Sequence, residues 1–220
     1  MKLAILSDPH GNDTGLLRCL REIDESGADR LICLGDYYGY GDHGDRVLDE
    51  LAGRNALCLM GNHEAMLLGI LPLDPERNLA YRLHPEELTE GRKHFLSAMT
   101  PNRELFIGGK RLLFCHGNPT DPICGYLYED KLTDDLEKLS YDAVFMGHTH
   151  RPYMRRMGKV LLVNCGSCGL PRDVGNRLTY ALYDTDTGNC ELKEIHMEEP
   201  ALYESFQKAH ESVLACLRRR

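Results

Sequence analysis

Five short apolar runs in this chain end in the same kind of chemistry. Leu3-Ala4-Ile5-Leu6 runs into Asp8-Pro9-His10, Leu31-Ile32-Cys33-Leu34 into Gly35-Asp36, and Ala56-Leu57-Cys58-Leu59-Met60 into Gly61-Asn62-His63-Glu64. Farther on, Leu112-Leu113-Phe114-Cys115 precedes His116-Gly117, and Ala143-Val144-Phe145-Met146 precedes Gly147-His148-Thr149-His150. An apolar run of this length closed by glycine and polar residues reads as a buried strand ending in a turn. A single histidine after a strand is more often a hydrogen-bonded structural residue than a ligand. Five such ends in order, bearing carboxylates, an amide and imidazoles, are not accounted for that way.

The segments between these runs set the architecture. Residues 2–7 read as a strand, after which His10-Gly11-Asn12-Asp13 turns into a helix capped by Thr14 or Asp13. Leu16, Leu17, Leu20 and Ile23 form its apolar stripe and Gly27 stops it. A strand over 30–34, the loop Tyr37-Tyr38-Gly39-Tyr40-Gly41, a short helix with Val47, Leu48 and Leu51 inward, and a strand over 56–60 complete a βαβαβ unit. This alternation predicts a largely parallel sheet with right-handed crossovers, in which ligands bind beyond the carboxyl ends of the strands. Asp8, Asp36 and Asn62 lie at those ends.

Residues 64–105 lack strand character until their last few positions. A helical run over 86–98, with Leu88, Phe95, Leu96 and Met99 on one side, makes 65–100 a candidate helical lid; two ordinary packing helices are the plainer reading. Strands follow over 110–115, 143–146, 159–164, 179–183 and 190–196, with a helix over 130–139. Two sheets packed face to face with helices outside fit this pattern, in a single α/β domain spanning 1–220. Pro200 opens a C-terminal helix, 200–218, whose Leu202, Phe206, Ala209, Val213 and Leu217 share one face. That stripe is regular enough to cover either its own chain or a second subunit, so a homo-oligomer through this helix or the lid stays open.

A length of 220 residues with 42% hydrophobic content suffices for one sizeable core. The formal net charge of -8 opposes attraction to nucleic-acid backbones and anionic membranes, which disfavours a polymeric nucleic acid substrate. Met1 leads straight into a strand without a signal peptide's apolar core, and no 18-residue apolar span occurs, so a cytoplasmic location with no membrane contact is expected. The nine cysteines are scattered through apolar runs and helices, as reduced thiols are. Cys165-Gly166-Ser167-Cys168 alone has redox or zinc spacing, but without a second pair it reads as turn cysteines.

In an extended segment, side chains at i and i+2 share a face, so Asp8 with His10, and His148 with His150, can each present two donors to one side. The donor set is Asp8, His10, Asp36, Asn62, His116, His148 and His150. Oxygen and nitrogen donors without thiolate suit Mn, Fe, Co, Ni or Zn better than Cu(I). Seven donors exceed the needs of one ion, and a bridging carboxylate would give two ions with open positions. Two dications less two carboxylates and one hydroxide leave a charge of about +1, which favours an anion, and ions roughly 3.5 to 4 Å apart fit phosphoryl displacement. A small phosphoester is the substrate this points to.

In the order Asp-x-His, Gly-Asp, Gly-Asn-His-Glu, His-Gly and Gly-His-Thr-His, residues 8 to 150 resemble the calcineurin-like metallophosphoesterases. The resemblance implies an αββα sandwich of two mixed β-sheets flanked by helices. It also implies a dinuclear site in which Asp8, His10, Asp36 and His150 hold one ion and Asp36, Asn62, His116 and His148 the other, with Asp36 as the bridge. A metal-bound hydroxide would then be the nucleophile, Mn the favoured metal, and His63 a catalytic residue facing the scissile phosphate. The protein phosphatases of that superfamily carry Asp-Arg shortly after Gly-Asp; here Tyr37-Tyr38-Gly39-Tyr40-Gly41 stands there, so the phosphate-clamping arginine is missing. The loop, together with the segments around Asn164 and Gly169, resembles the small prokaryotic phosphodiesterase-like branch, with Cys165 in place of a usual proline and Pro9 in place of a larger apolar residue.

Phosphodiester hydrolysis is therefore the expected activity. The alternatives are a phosphomonoesterase, a protein or nucleotide phosphatase, and a non-catalytic scaffold of the same fold. Asn12 and Arg172 are the candidate substrate-binding residues, each with a structural rival: Asn12 stabilising its turn, Arg172 an arginine of the turn it sits in. His43, His84, His94, His196 and His210 read as surface or packing residues, and Arg218-Arg219-Arg220 as a solvated tail.

Overall fold

The computed structural model describes residues 1–198 and 200–220. Strands β1 (Lys2–Leu6), β2 (Arg30–Cys33) and β3 (Leu57–Cys58) run parallel, with helices α1 (Asp13–Ser26) and α2 (Gly44–Gly53) as their crossovers. After α3 (Asn62–Leu67), α4 (Pro75–Tyr81) and α5 (Glu90–Ser97), the chain enters β4 (Asn102–Ile107), β5 (Lys110–Cys115), β6 (Ala143–Met146), β7 (Tyr153–Met157) and β8 (Val160–Asn164). It returns through β9 (Arg177–Asp184) and β10 (Cys190–His196) and ends in α6 (Glu211–Leu217). Two five-stranded mixed sheets result, ordered β10-β9-β1-β2-β3 and β4-β5-β6-β8-β7.

Strand alternation explains the layering, because the central strands of both sheets are buried on both faces. Leu3 and Ile5 of β1 point between the sheets, where they meet Phe114 and Phe145, stacked at 5.1 Å. Ala4 and Leu6 point outward under α1, α2 and the C-terminal segment. In β5 the same alternation sends Leu112 and Phe114 inward and Leu113 and Cys115 to the outer layer. In each sheet the strands that carry the donor motifs run parallel, so those motifs emerge at carboxyl ends. Among the described residues no helix is long and apolar enough to cross a membrane.

Several elements differ from expectation. Strand β3 is shorter than 56–60 because only Leu57, Cys58 and the Leu59 N–H reach β2; Met60 donates instead to the Thr100 carbonyl. The edge strand β7 is absent from the sequence reading, since its exposed Arg155 and Arg156 hide the alternation. Residues 130–139 form two 3₁₀ turns, Glu129–Lys131 and Asp134–Lys138, parted by extended Leu132 and Thr133. Leu132, Leu136 and Leu139 all reach the sheet without a continuous helix.

Within 65–100, the run over 86–98 is likewise broken. A 3₁₀ turn spans Pro85–Glu87, α5 starts only after the Thr89 cap, and Phe95 faces solvent while Leu96 is buried. The C-terminal stripe is carried by a 3₁₀ segment, Ala201–Phe206, and by α6 rather than by one helix; Leu202, Phe206, Val213 and Leu217 all pack on the chain's own core.

Candidate metal centre

The loops after β1, β2, β3, β5 and β6 converge on one buried cluster. Their backbones are unusual: Asp8, His10, Asp36, His148 and His150 all have φ between 46° and 63°. The i and i+2 pairs are thus not extended, and His148 and His150 face different parts of the cluster rather than one ion. Left-handed backbone in non-glycine residues costs energy and concentrates at functional sites. Close approach accounts for two glycines of the motifs: a Cβ on Gly35 would stand 2.5 Å from the Gly61 nitrogen, and one on Gly61 would fall on Asp36 Oδ1.

On one side, His150 Nε2 lies 3.2 Å from Asp8 Oδ1 and 3.1 Å from His10 Nε2. His10 Nδ1 donates to the Tyr38 carbonyl at 3.2 Å, and His150 Nδ1 donates to the Leu170 carbonyl. A carbonyl only accepts, so each ring carries its proton on Nδ1 and turns the lone pair of Nε2 inward. Burial holds both imidazoles below their ordinary pKa, His10 far below, so neither supplies a second proton. Asp8 Oδ1, fully buried, faces these lone pairs without any hydrogen-bond partner. Two lone pairs and an orphaned carboxylate oxygen repel unless a cation lies between them.

On the other side, His116 Nε2 stands 3.0 Å from Asn62 Oδ1, 3.1 Å from His148 Nδ1 and 3.4 Å from Asp36 Oδ2. The charges of Asp36, Asp8 and Glu64 overcome burial and push His116 up to about 9, while burial and His116 push His148 down to about 3. One proton on His116 thus sits among three acceptors. Asp36 Oδ2 joins the two sides, 3.5 Å from His10 Nε2 and 3.4 Å from His116 Nε2. Ligands about 2.0 to 2.2 Å from a divalent ion stand roughly 3.0 to 3.5 Å from one another, so these spacings fit metal coordination. Asp8, His10 and His150 form one candidate group, and Asp36, His116 and His148 another.

His63 is the first-turn neighbour of Asn62 in α3 but points to the opposite side. Its Nδ1 donates to the same Tyr38 carbonyl at 2.8 Å, and its Nε2 is 3.9 Å from Asp36 Oδ2. That places it near enough to His10 and Asp36 to form a third donor group with them. Arg172 lines the small cavity over the cluster with Tyr40, Tyr81 and Tyr126, and donates to the Tyr40 hydroxyl at 2.9 Å. Asn12 is not at the mouth. It caps α1 in place of Asp13 or Thr14, its amide oxygen accepting from Gly15 N and its amide nitrogen donating to the Gly169 carbonyl, both at 2.8 Å.

Glu64, in the same motif as Asn62 and His63, supports the cluster from behind. Fully buried, its carboxylate accepts from the backbone N–H groups of Asp36 (2.8 Å), Tyr37 (2.9 Å), Gly61 (3.0 Å) and Tyr38 (3.3 Å). It ties the β2 and β3 loops together. Burial and the Asp36 charge push its carboxyl up to about 7 against those N–H groups, which favour the ionised form. Its position three residues after the helix-capping Gly61 is the signal that locates it. Tyr40, its ring 4.7 Å from that of His10, carries no comparable sequence signal. Cys165 and Cys168 are buried thiols with raised pKa and belong to no donor cluster among the described residues. His43 pairs with Asp13 and His210 caps α6, away from the cluster.

Two facing mixed sheets with histidine, aspartate and asparagine donors at their carboxyl ends define a metal-dependent phosphoesterase architecture. The family model of the calcineurin-like phosphoesterase superfamily domain matches residues 1–188, and the chain belongs to that superfamily. It is a phosphoric ester hydrolase. It is 29% identical to the uncharacterized protein MJ0912 of Methanocaldococcus jannaschii, over 94% of this chain and 92% of the other. Phosphodiesterase YfcE of Escherichia coli is 28% identical, over 84% of this chain and 89% of its own. A metallophosphoesterase from Sphaerobacter thermophilus shares the fold with a TM-score of 0.82 at 22% identity, covering 99% of this chain and 98% of that one.

Proposed function

We propose that the chain hydrolyses a small phosphodiester at a centre of two divalent transition-metal ions. Asp8, His10 and His150 would hold one, Asn62, His116 and His148 the other, and Asp36 both. The observation that carries this reading is Asp36 Oδ2, equally near His10 Nε2 and His116 Nε2 at 3.5 and 3.4 Å. Two such ions would neutralise phosphoryl oxygens and lower the pKa of a water bound there. Manganese leads Fe, Co, Ni and Zn for a shell of oxygen and imidazole without thiolate.

The chain's own groups complete the site. With its Nδ1 committed to Tyr38, His63 keeps Nε2 to hold or give up a proton beside the leaving oxygen. Arg172, oriented by Tyr40, faces the same small cavity and meets the phosphoryl anion. The net charge of -8 favours a small substrate over a nucleic acid polymer. The diester preference draws support from the likeness to the phosphodiesterase YfcE.

The test is purification without chelator, elemental analysis, and turnover of bis-p-nitrophenyl phosphate against p-nitrophenyl phosphate with each metal. Two ions per chain and faster diester hydrolysis are expected, abolished by EDTA. Faster monoester turnover would make it a phosphomonoesterase, and no turnover with any metal would turn the reading to a protein-binding scaffold.

A further inference from the structure

Beside the small cavity over the metal centre lies a groove of about 470 Å³ that shares Tyr40, Tyr81 and Arg172 with it. In a chain of formal net charge -8, this groove is lined by Arg151, Arg172 and Arg219 and by no aspartate or glutamate. Neighbouring arginines are occupied: Arg155 by Glu129 at 2.8 Å and Arg218 by Glu211 at 2.6 Å. Among the described residues no carboxylate pairs with the three in the groove. Arg219 is solvent-exposed, as are Arg218 and Arg220, but its Nη1 donates to the Arg172 carbonyl at 2.6 Å, which sets its guanidinium at the groove wall.

Flat rings lead from the metal centre into this space. Tyr126 lies 4.0 Å from the His148 ring, Tyr128 stacks on Tyr126 at 5.8 Å and 7°, and the Arg151 guanidinium lies 5.8 Å from the Tyr128 centroid. Helix α6 closes the far side through Val213 and Cys216. Its volume is in the size range of small-ligand pockets.

We infer that this groove binds the ester substituent of the substrate, and that the substituent carries a planar ring and a second anionic group, as a phosphorylated nucleoside does. The inference rests on the phosphodiesterase reading. The rings of Tyr81 and Tyr128 give the planar group a stacking surface, and the unpaired N–H groups of Arg151 and Arg219 take the second anion.

The test compares p-nitrophenyl thymidine 5′-phosphate with the same ester bearing a 3′-phosphate. Alongside it, calorimetry on the metal-loaded protein compares thymidine 5′-monophosphate with thymidine 3′,5′-bisphosphate. The added phosphate should raise kcat/KM and affinity about tenfold, chiefly through KM. Arg151→Gln combined with Arg219→Gln should remove that increment, lowering values for the phosphorylated member several-fold more than for its partner. Tyr128→Leu should weaken both nucleotides relative to bis-p-nitrophenyl phosphate. No gain from the added phosphate, or an equal loss on both members, overturns the inference. If neither ester is turned over, the phosphodiesterase reading fails, and the calorimetric difference alone decides whether the groove selects a second anion.

Discussion

Around Asp8 both imidazoles are fixed from behind, His10 by the Tyr38 carbonyl and His150 by that of Leu170, whereas His116 Nδ1 and His148 Nε2 have no partner. The first side is fully buried and proton-free at its centre; the second keeps a proton on His116, and its Asn62 is partly exposed. Carbonyl partners fix the tautomer and ring orientation of a ligating histidine, and losing such support typically costs about 10 to 100-fold in metal affinity. The two sides therefore differ in readiness. On the proposed two-ion reading, the Asp8 side would hold the more tightly bound ion and the His116 side an exchangeable one that must first displace a proton.

The largest effect belongs to the residue they share. Asp36→Asn removes the charge offsetting repulsion between two dications, and should lower activity by about 10³-fold and leave at most one ion per chain by elemental analysis. Two ions retained at unchanged affinity would show that Asp36 is not the bridge. His63→Ala comes next. It should keep both metals and lose about 10²-fold or more on alkyl esters, with less loss on p-nitrophenyl esters, whose leaving group needs little protonation. Equal losses would mean charge stabilisation, and metal loss would move His63 into the ligand shell.

Comparing His150→Asn with His148→Asn sharpens the contrast itself. The first should strip both sites and the second only the weaker one, a difference of about 10 to 100-fold in metal retained during dialysis. Identical stoichiometries would erase the distinction. Smallest is the pH dependence. In the metal-free protein His116 is protonated below about 9, so binding on its side releases a proton, and affinity there should rise about tenfold per pH unit from 7 until it levels near 9. The Asp8 side, with His10 and His150 held neutral, should titrate flat over the same range. Parallel pH profiles in metal calorimetry would contradict the assignment.

Most of the donor cluster was legible because each member ends an apolar run, and parallel strands carry such ends to one edge. What the sequence left unread depends on non-local partners. That His148 and His150 face different sides follows from left-handed backbone, not from strand spacing. Glu64 matters through amides on two loops, and Arg219 through a carbonyl distant in sequence. Apolar spacing over 200–218 reported the burial of Leu202, Phe206, Val213 and Leu217 but not the break in the helix, and the helix expected over 130–139 is two 3₁₀ turns, which bring Leu132, Leu136 and Leu139 to the sheet without helical continuity.

The left-handed backbone at Asp8, His10, Asp36, His148 and His150 also bears on how this centre tolerates change. Asparagine, aspartate and histidine enter that conformation several-fold more readily than other side chains. The fold thus restricts these positions to a short alphabet before any metal is considered. Alanine there would add a backbone penalty of about 1 to 2 kcal/mol to the loss of the ligand, so an alanine scan would overstate the chemistry. Asparagine isolates it, and the gap in thermal stability between the two replacements in metal-free protein contains that strain plus the backbone hydrogen bonds that Asp8 and Asp36 accept from His148 and His63.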